Sequence, residues 1–127
     1  MILGLGMDVV EVGRIARLLD GPPERAERFL ARVFTRAERE ACDPRRDRAS
    51  GYAARFAAKE AGVKALGAPP GARWTDLEVT RRDGEPPGLR LHGVAAAAAA
   101  ARGVVRVHLT LTHDGGVAAA TVILEGP

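Results

Sequence analysis

The sequence predicts an α+β protein in which an antiparallel sheet packs against helices. Helical periodicity dominates the first half of the chain, whereas the second half contains segments with the two-residue alternation of strands. The clearest β-hairpin is the closing segment "VVRVHLTLTHDGGVAAATVILE". No repeat or linker divides the 127 residues, so we expect a single domain spanning residues 1–127.

The first predicted element is a strand over residues 2–10. Four apolar residues share one parity, and we expect them to face the core: Leu3, Leu5, Met7 and Val9. The other parity carries Gly4, Gly6 and then Asp8. Two glycines before an aspartate leave space for another group to approach the backbone.

Helices follow this strand. The segment "EVGRIARLL" places its apolar residues on one stripe, and "RAERFLARVF" begins a second helix after the break at "DGPPE". The segment "TRAERE" matches a capping box, with Thr35 as N-cap and Glu38 three residues later. A longer helix over residues 50–66 ends at Gly67.

The second half returns to strands around one more helix. The segment "WTDLEVTRRDGEPPGLRLHG" predicts a strand, a turn at Asp83-Gly84 and a short strand. The segment "VAAAAAAARG" has high helix propensity and ends at Gly103, and we expect it to pack closely on a sheet. The last two strands form the hairpin, with its turn near "HDGG".

Composition narrows the class of protein. The single cysteine, Cys42, cannot form an internal disulfide and suits a reducing compartment, and neither a membrane span nor a signal peptide is evident, so we expect a soluble cytosolic protein. The net charge of +3 suits either nucleic acid or an acidic partner. The basic residues are almost all Arg, and Asn and Gln are absent, which is equally typical of a GC-rich genome.

Two carboxylates lie where apolar residues are expected. At about 100° per residue, Glu60 falls inside the helical stripe centred on Phe56. The simpler alternatives are a surface pair of Glu60 with Lys64 and, for Asp8 at the end of a strand, capping of the next helix. Together they indicate a Mg²⁺ site, since Mg²⁺ takes one or two carboxylates plus water and substrate phosphates. The basic residues Arg55, Lys59 and Lys64 would suit a phosphorylated ligand.

Other chemistries find little support. The only serine, Ser50, lies outside any nucleophile motif, and Cys42 has no activating partner, so we expect an inert thiol. The three histidines lack metal-ligand spacing, which argues against zinc. His113, at the turn after a strand, is placed either to meet a ligand or to lie exposed in solvent.

Three stretches in order resemble the short class of the 4′-phosphopantetheinyl transferase family. "GLGMDVVEVGRI" resembles the amino-terminal signature, "RFAAKEAGVKALG" the second signature, and "VHLTLTHDGGVAAATVILE" the closing strand pair. The resemblance covers most of the chain. Two departures are Gly62, where a larger residue is common, and the proline-rich loop "GAPPGARW".

The resemblance implies an activity and a fold. Such enzymes transfer the phosphopantetheine arm of coenzyme A to a serine of an apo-acyl carrier protein and release adenosine 3′,5′-bisphosphate. Asp8 and Glu60 match the residues that bind Mg²⁺, and Lys64 matches a residue that neutralises phosphate. The attacking hydroxyl belongs to the carrier protein, and Glu60 or a metal-bound water would accept its proton.

The resemblance also implies partners. The coenzyme A contacts would come from Arg55, Lys59, Lys64, Gly67 and His113. Subunits would form a homotrimer with sites between chains, and an acidic carrier protein, of fatty-acid or polyketide synthesis, would dock on basic residues. The docking candidates are Arg14, Arg17, Arg25 and Arg28. Two alternatives stay open: another Mg²⁺-dependent enzyme acting on a phosphorylated small molecule, and a basic non-enzymatic binding module.

Overall fold

The computed structural model describes residues 1–127 and follows the predicted order of helices and strands. The elements are β1 (Ile2–Glu11), α1 (Val12–Leu19), α2 (Pro23–Val33), α3 (Arg36–Cys42), α4 (Arg48–Ala65), a 3₁₀ turn (Trp74–Asp76), β2 (Leu77–Thr80), β3 (Gly88–Leu91), α5 (Gly93–Ala101), β4 (Arg106–Asp114) and β5 (Val117–Glu125). The α+β class is therefore confirmed. None of the helices combines the length and apolar character that a membrane span requires.

The sheet that positions the site has three antiparallel strands in the order β1-β5-β4. Its register places Asp8 opposite Ala120, which in turn lies opposite Leu111. The predicted hairpin turn contains Gly115 and Gly116, both with positive φ, which is the backbone geometry for which glycine is suited. Strands β2 and β3 form a separate antiparallel pair.

Helix α4 packs against the sheet through small side chains. Its fully buried residues are mostly alanines, whereas Phe56, the expected centre of the apolar stripe, and Val63 are only partly buried. Tyr52 is fully buried. Small residues allow the backbone of α4 to approach the strands closely, so the buried stripe follows alanine rather than the larger apolar side chains.

The expected orientation of β1 is wrong. Leu5, Met7 and Val9 are 65%, 62% and 56% exposed, whereas Gly6 and Val10 on the opposite parity are buried. The glycine face lies against α4 because a side chain at Gly4 or Gly6 would collide with the helix backbone. As a result, an apolar row of β1 lies uncovered on the far side of the sheet.

A buried ion pair connects α4 to its neighbours. Lys59 and Glu38 are fully buried, with Lys59 Nζ 2.7 Å from Glu38 Oε1. The ammonium also donates to the carbonyl oxygens of Trp74 and Leu77, and Glu38 Oε2 accepts from the Val79 N–H. All three ammonium donors are thus used inside the protein. This arrangement contradicts the expectation that Lys59 contacts coenzyme A.

Candidate metal and phosphate site

The structure brings Asp8 and Glu60 together at the junction of β1 and α4. Asp8 lies on the face of β1 that packs on α4, and Glu60 lies on that helix, partly buried. Lys64, one turn further along α4, donates to Asp8 Oδ1 and to the Met7 carbonyl oxygen, each at 3.1 Å. The Asp8 side chain is 19% exposed and that of Lys64 is 54% exposed, so the site opens to solvent on the lysine side.

Neither simple structural role accounts for the two carboxylates. Glu11, not Asp8, occupies the N-cap of α1, and no side chain caps that helix. Lys64 pairs with Asp8 rather than with Glu60, so the i,i+4 surface pair considered from the sequence is absent. Both carboxylates therefore keep oxygen atoms free for a ligand.

The surroundings of Glu60 disfavour its negative charge. Burial, and then the nearby charge of Asp8, raise the pKa of Glu60, while Lys64 and Arg14 oppose the rise. Two carboxylates that repel each other in a half-buried site are relieved by a bound cation. The arrangement is therefore chemically suited to a divalent ion.

The donor set fits Mg²⁺ better than a fully protein-ligated metal. No group of three or more His, Cys, Asp or Glu side chains is placed to hold an ion. Mg²⁺ binds through one or two carboxylates and fills its other positions with water and phosphate oxygens. Asp8 and Glu60 supply that number of carboxylates, with Lys64 beside them to meet a phosphate.

A second site, which is basic, lies around Arg55 and His113. These residues line a cavity of about 280 Å³ together with Arg45, Ser50 and Arg81. Arg55 is buried; its Nη1 donates to the Gly51 carbonyl at 3.3 Å, and its Nε has no hydrogen-bond partner. A buried guanidinium with an unused donor is suited to an anionic ligand.

The two sites do not meet within one chain. The lining of the Arg55 cavity includes neither Asp8 nor Glu60 nor Lys64. Glu60 follows Arg55 by five positions, which places the two residues about 140° apart around α4. Gly67, also expected to contact coenzyme A, is exposed just beyond the end of α4 with φ +77° and does not line the Arg55 cavity.

The predicted docking arginines are all exposed and unpaired. None of the four, Arg14, Arg17, Arg25 and Arg28, forms a salt bridge, so their charges are available to a partner. Arg14 also acts on Glu60, since its charge lowers the pKa of that carboxyl. Arg14 is therefore the docking candidate that lies near the acidic pair.

Sequence reasoning missed Arg45 and Arg81 as lining residues of the basic cavity. Both lie in charged loops whose arginines look alike in sequence, and only the fold distinguishes these two. Cys42 behaves as expected, because it is buried and burial raises the pKa of its thiol.

The fold and its two charged sites define a small α+β protein equipped for a phosphate-rich ligand. The family model described as the 4′-phosphopantetheinyl transferase superfamily matches residues 4–122. The chain belongs to that superfamily, as its three sequence signatures predict.

The similarity to known proteins extends over nearly the whole chain. A holo-[acyl-carrier-protein] synthase of Anaeromyxobacter dehalogenans (strain 2CP-C) is 72% identical over 99% of this chain and 98% of its own length. One from Myxococcus xanthus (strain DK1622) is 60% identical over 98% of this chain and 95% of its own length.

Solved structures agree with the fold. The crystal structure of the Plasmodium yoelii holo-ACP-synthase has a TM-score of 0.84 at 25% identity, covering 100% of this chain and 97% of its own. The Bacillus anthracis synthase in complex with CoA (3′,5′-ADP) has a TM-score of 0.79 at 31% identity, covering 100% and 99%.

Proposed function

We propose that the protein transfers the 4′-phosphopantetheine group of coenzyme A to a serine of an apo-acyl carrier protein, using residues 1–127 as one catalytic domain. The observation that carries this proposal is that Asp8 and Glu60 lie close together beside Lys64, in a chain of this superfamily. Relatives named holo-[acyl-carrier-protein] synthase, some solved with coenzyme A, support the same donor and acceptor. With its single cysteine buried and free, the protein suits the cytosol.

The chemistry is a phosphoryl transfer between two oxygen atoms. The serine hydroxyl oxygen of the carrier protein bonds to the phosphorus of phosphopantetheine, the bond to adenosine 3′,5′-bisphosphate breaks, and the hydroxyl proton leaves. Asp8 and Glu60 would hold Mg²⁺, which neutralises diphosphate charge when bound. Lys64 supplies a further positive charge to the phosphates. Glu60 is a candidate acceptor for the proton.

The basic cavity would bind a second part of coenzyme A. Its residues Arg55 and His113 lie apart from Asp8 and Glu60 in one chain, which supports a site completed by a neighbouring subunit. The uncovered apolar row of β1 supports self-association, because such a surface is costly to leave in water. We propose a homotrimer in which one chain supplies the acidic pair and the next supplies the basic cavity.

The exposed arginines would recognise the carrier protein. Arg14, Arg17, Arg25 and Arg28 face solvent on α1 and α2 without an internal partner. An acidic protein substrate would find complementary charge there, with Arg14 leading to Glu60.

Intact mass spectrometry tests the reaction directly. Apo-acyl carrier protein, coenzyme A, Mg²⁺ and the protein are incubated together, and the carrier protein is expected to gain the mass of one phosphopantetheine group. The Asp8→Ala variant is expected to leave its mass unchanged under the same conditions. A carrier protein that stays unmodified by the wild-type protein would reject the proposed function, and full transfer by Asp8→Ala would reject the metal assignment alone.

A further inference from the structure

The contact between β1 and α4 has almost no free space. Gly4 and Gly6 face α4, and their backbones lie against the carbonyl groups of Ala65 and Ala61. A Cβ atom at Gly6 would overlap the Ala61 carbonyl oxygen and lie 2.9 Å from Ala65 N. Because these atoms belong to the helix backbone, no rotamer change can make room. A side chain at position 6 must therefore push β1 away from α4.

That displacement would reach the proposed metal site. Gly6 precedes Asp8 by two residues on the same face of β1, and Ala61 directly follows Glu60 on α4. Asp8 therefore lies on β1 and Glu60 on α4, the two elements that are in contact at Gly6. Their separation depends on how closely β1 approaches α4 at Gly6.

An arginine braces the same contact at its other end. Arg102, the C-cap residue of α5, donates from Nη1 to the Ala65 carbonyl oxygen at 2.9 Å and from Nη2 to the Leu3 carbonyl oxygen. The first acceptor belongs to the last turn of α4, where a positive charge is favourable. One guanidinium thus joins the end of α4 to the start of β1.

We propose that Gly6 is a positioning residue for the metal pair, with Arg102 as its brace. Their role is to hold Asp8 and Glu60 close enough for a small ion. Mg²⁺ requires oxygen atoms at about 2.0–2.1 Å in a near-octahedral set, whereas Ca²⁺ accepts about 2.3–2.6 Å and looser geometry. A wider gap should therefore weaken Mg²⁺ binding more than Ca²⁺ binding. This inference rests on the proposed Mg²⁺ role of Asp8 and Glu60.

Metal binding, rather than turnover, provides the test. Mn²⁺ is titrated into the full-length protein with coenzyme A present, free Mn²⁺ is measured by electron paramagnetic resonance, and Mg²⁺ and Ca²⁺ are used as competitors. We expect Gly6→Ala to weaken Mg²⁺ binding about tenfold and to lower the Mg²⁺-to-Ca²⁺ affinity ratio. Gly13→Ala is the matched control, because a Cβ there would meet only Arg17 Nη1, at 3.5 Å. It should change neither quantity.

The outcomes separate this inference from the proposed function. A folded Gly6→Ala protein with the wild-type ratio overturns the positioning role. If Gly6→Ala does not fold, Arg102→Gln decides: about threefold weaker Mg²⁺ binding and a lower ratio support the role, and agreement with the surface control Arg36→Gln overturns it. A wild-type protein that binds no Mn²⁺ overturns the metal assignment and this inference together.

Discussion

At the scale of single residues, Glu60 of the proposed metal site makes the folded protein less stable. Its carboxylate is half-buried near Asp8, which is why its pKa is raised. A carboxyl group whose pKa is higher in the folded than in the unfolded state makes folding less favourable as the pH rises through that interval. Glu60 therefore destabilises the metal-free protein at neutral pH, a cost that a bound cation would remove.

The Glu60→Gln variant should be more thermostable than wild type at pH 7 and almost inactive. The amide keeps the shape but neither repels Asp8 nor binds a cation, so we expect transfer to fall at least about 10²-fold. The melting temperature of the metal-free variant should exceed that of wild type at pH 7. The difference should shrink as the pH falls into the ordinary carboxyl range, because a raised pKa of Glu60 costs stability only above that range. Glu40→Gln, which affects only an exposed pair with Arg36, is the control.

The result that would contradict this account is a Glu60→Gln protein that is less stable than wild type at pH 7. It would mean that the carboxylate is stabilised by partners other than a metal. Wild-type turnover in the same variant would remove Glu60 from the proposed site.

Also at the scale of single residues, sequence reasoning singled out Asp8 and Glu60, which lie together in the structure, but it wrongly expected Lys59 to contact a ligand. Glu60 and Lys59 are adjacent, and helical periodicity correctly separates their faces. Periodicity cannot reveal that Glu38, twenty-one residues earlier, reaches Lys59 inside the core. The capping box drew attention to Glu38 only as a local partner of Thr35, although the carboxylate serves both roles.

At the scale of elements, the Lys59–Glu38 pair should control the attachment of α4 to β2 and α3. Lys59→Met leaves Glu38 as an uncompensated buried charge, so we expect the free energy of unfolding to fall by about 3–5 kcal/mol. Adding Glu38→Gln should restore part of that loss, because the amide oxygen still accepts from a backbone N–H without a net charge. Urea unfolding of both variants measures the effect.

The exposed pair Arg36–Glu40 supplies the control for the buried one. Arg36→Met breaks a salt bridge of 2.9 Å between solvent-exposed side chains, and we expect no measurable change in stability. A Lys59→Met protein as stable as Arg36→Met would show that the buried pair contributes only to specificity of packing.

The exposed arginines of α1 and α2 lead to a separate prediction about recognition of the carrier protein. Arg28→Glu should raise the KM for the acyl carrier protein about fivefold and leave the KM for coenzyme A nearly unchanged, because Arg28 is exposed and does not line the basic cavity. Arg14→Glu should impair both binding of the carrier protein and catalysis, since Arg14 acts on Glu60. Added salt should weaken the wild-type interaction with the carrier protein.

Kinetics with each substrate varied in turn provide the measurement, with Arg36→Glu on α3 as the matched charge reversal. Equal effects of Arg28→Glu on both substrates would refute docking at this surface. The abundance of arginine would then be explained by genome composition.

Among the elements, β1 is the one whose buried face sequence reasoning predicted wrongly. The apolar parity of a strand normally faces the core, yet here the glycine parity does, because α4 approaches too closely for any side chain. Alternation identifies the two faces of a strand without saying which neighbour covers each. The closing hairpin was predicted correctly because its turn glycines and its alternation agree.

At the scale of the whole molecule, the uncovered face of the sheet raises the question of assembly. Leu5, Met7 and Val9 of β1 adjoin Thr121 and Ile123 of β5 on a face without a helix. Closed symmetry is the usual means of covering such a surface. A second observation points the same way: the acidic pair and the Arg55 cavity do not meet in one chain, although one ligand would need both.

A trimer with shared sites leads to three expectations that can be checked together. Light scattering should report about three times the chain mass of 13.4 kDa. Asp8→Ala and His113→Ala proteins should each be impaired alone, yet an equal mixture, after subunit exchange, should recover about a quarter of wild-type activity, since one interface in four would join two intact halves. Met7→Lys, which places a charge on the exposed row, should shift the mass towards monomer and lower activity with it. A fully active monomer at the assay concentration would refute both the trimer and the shared site, and would require one chain to bring Arg55 and Glu60 to the same coenzyme A molecule.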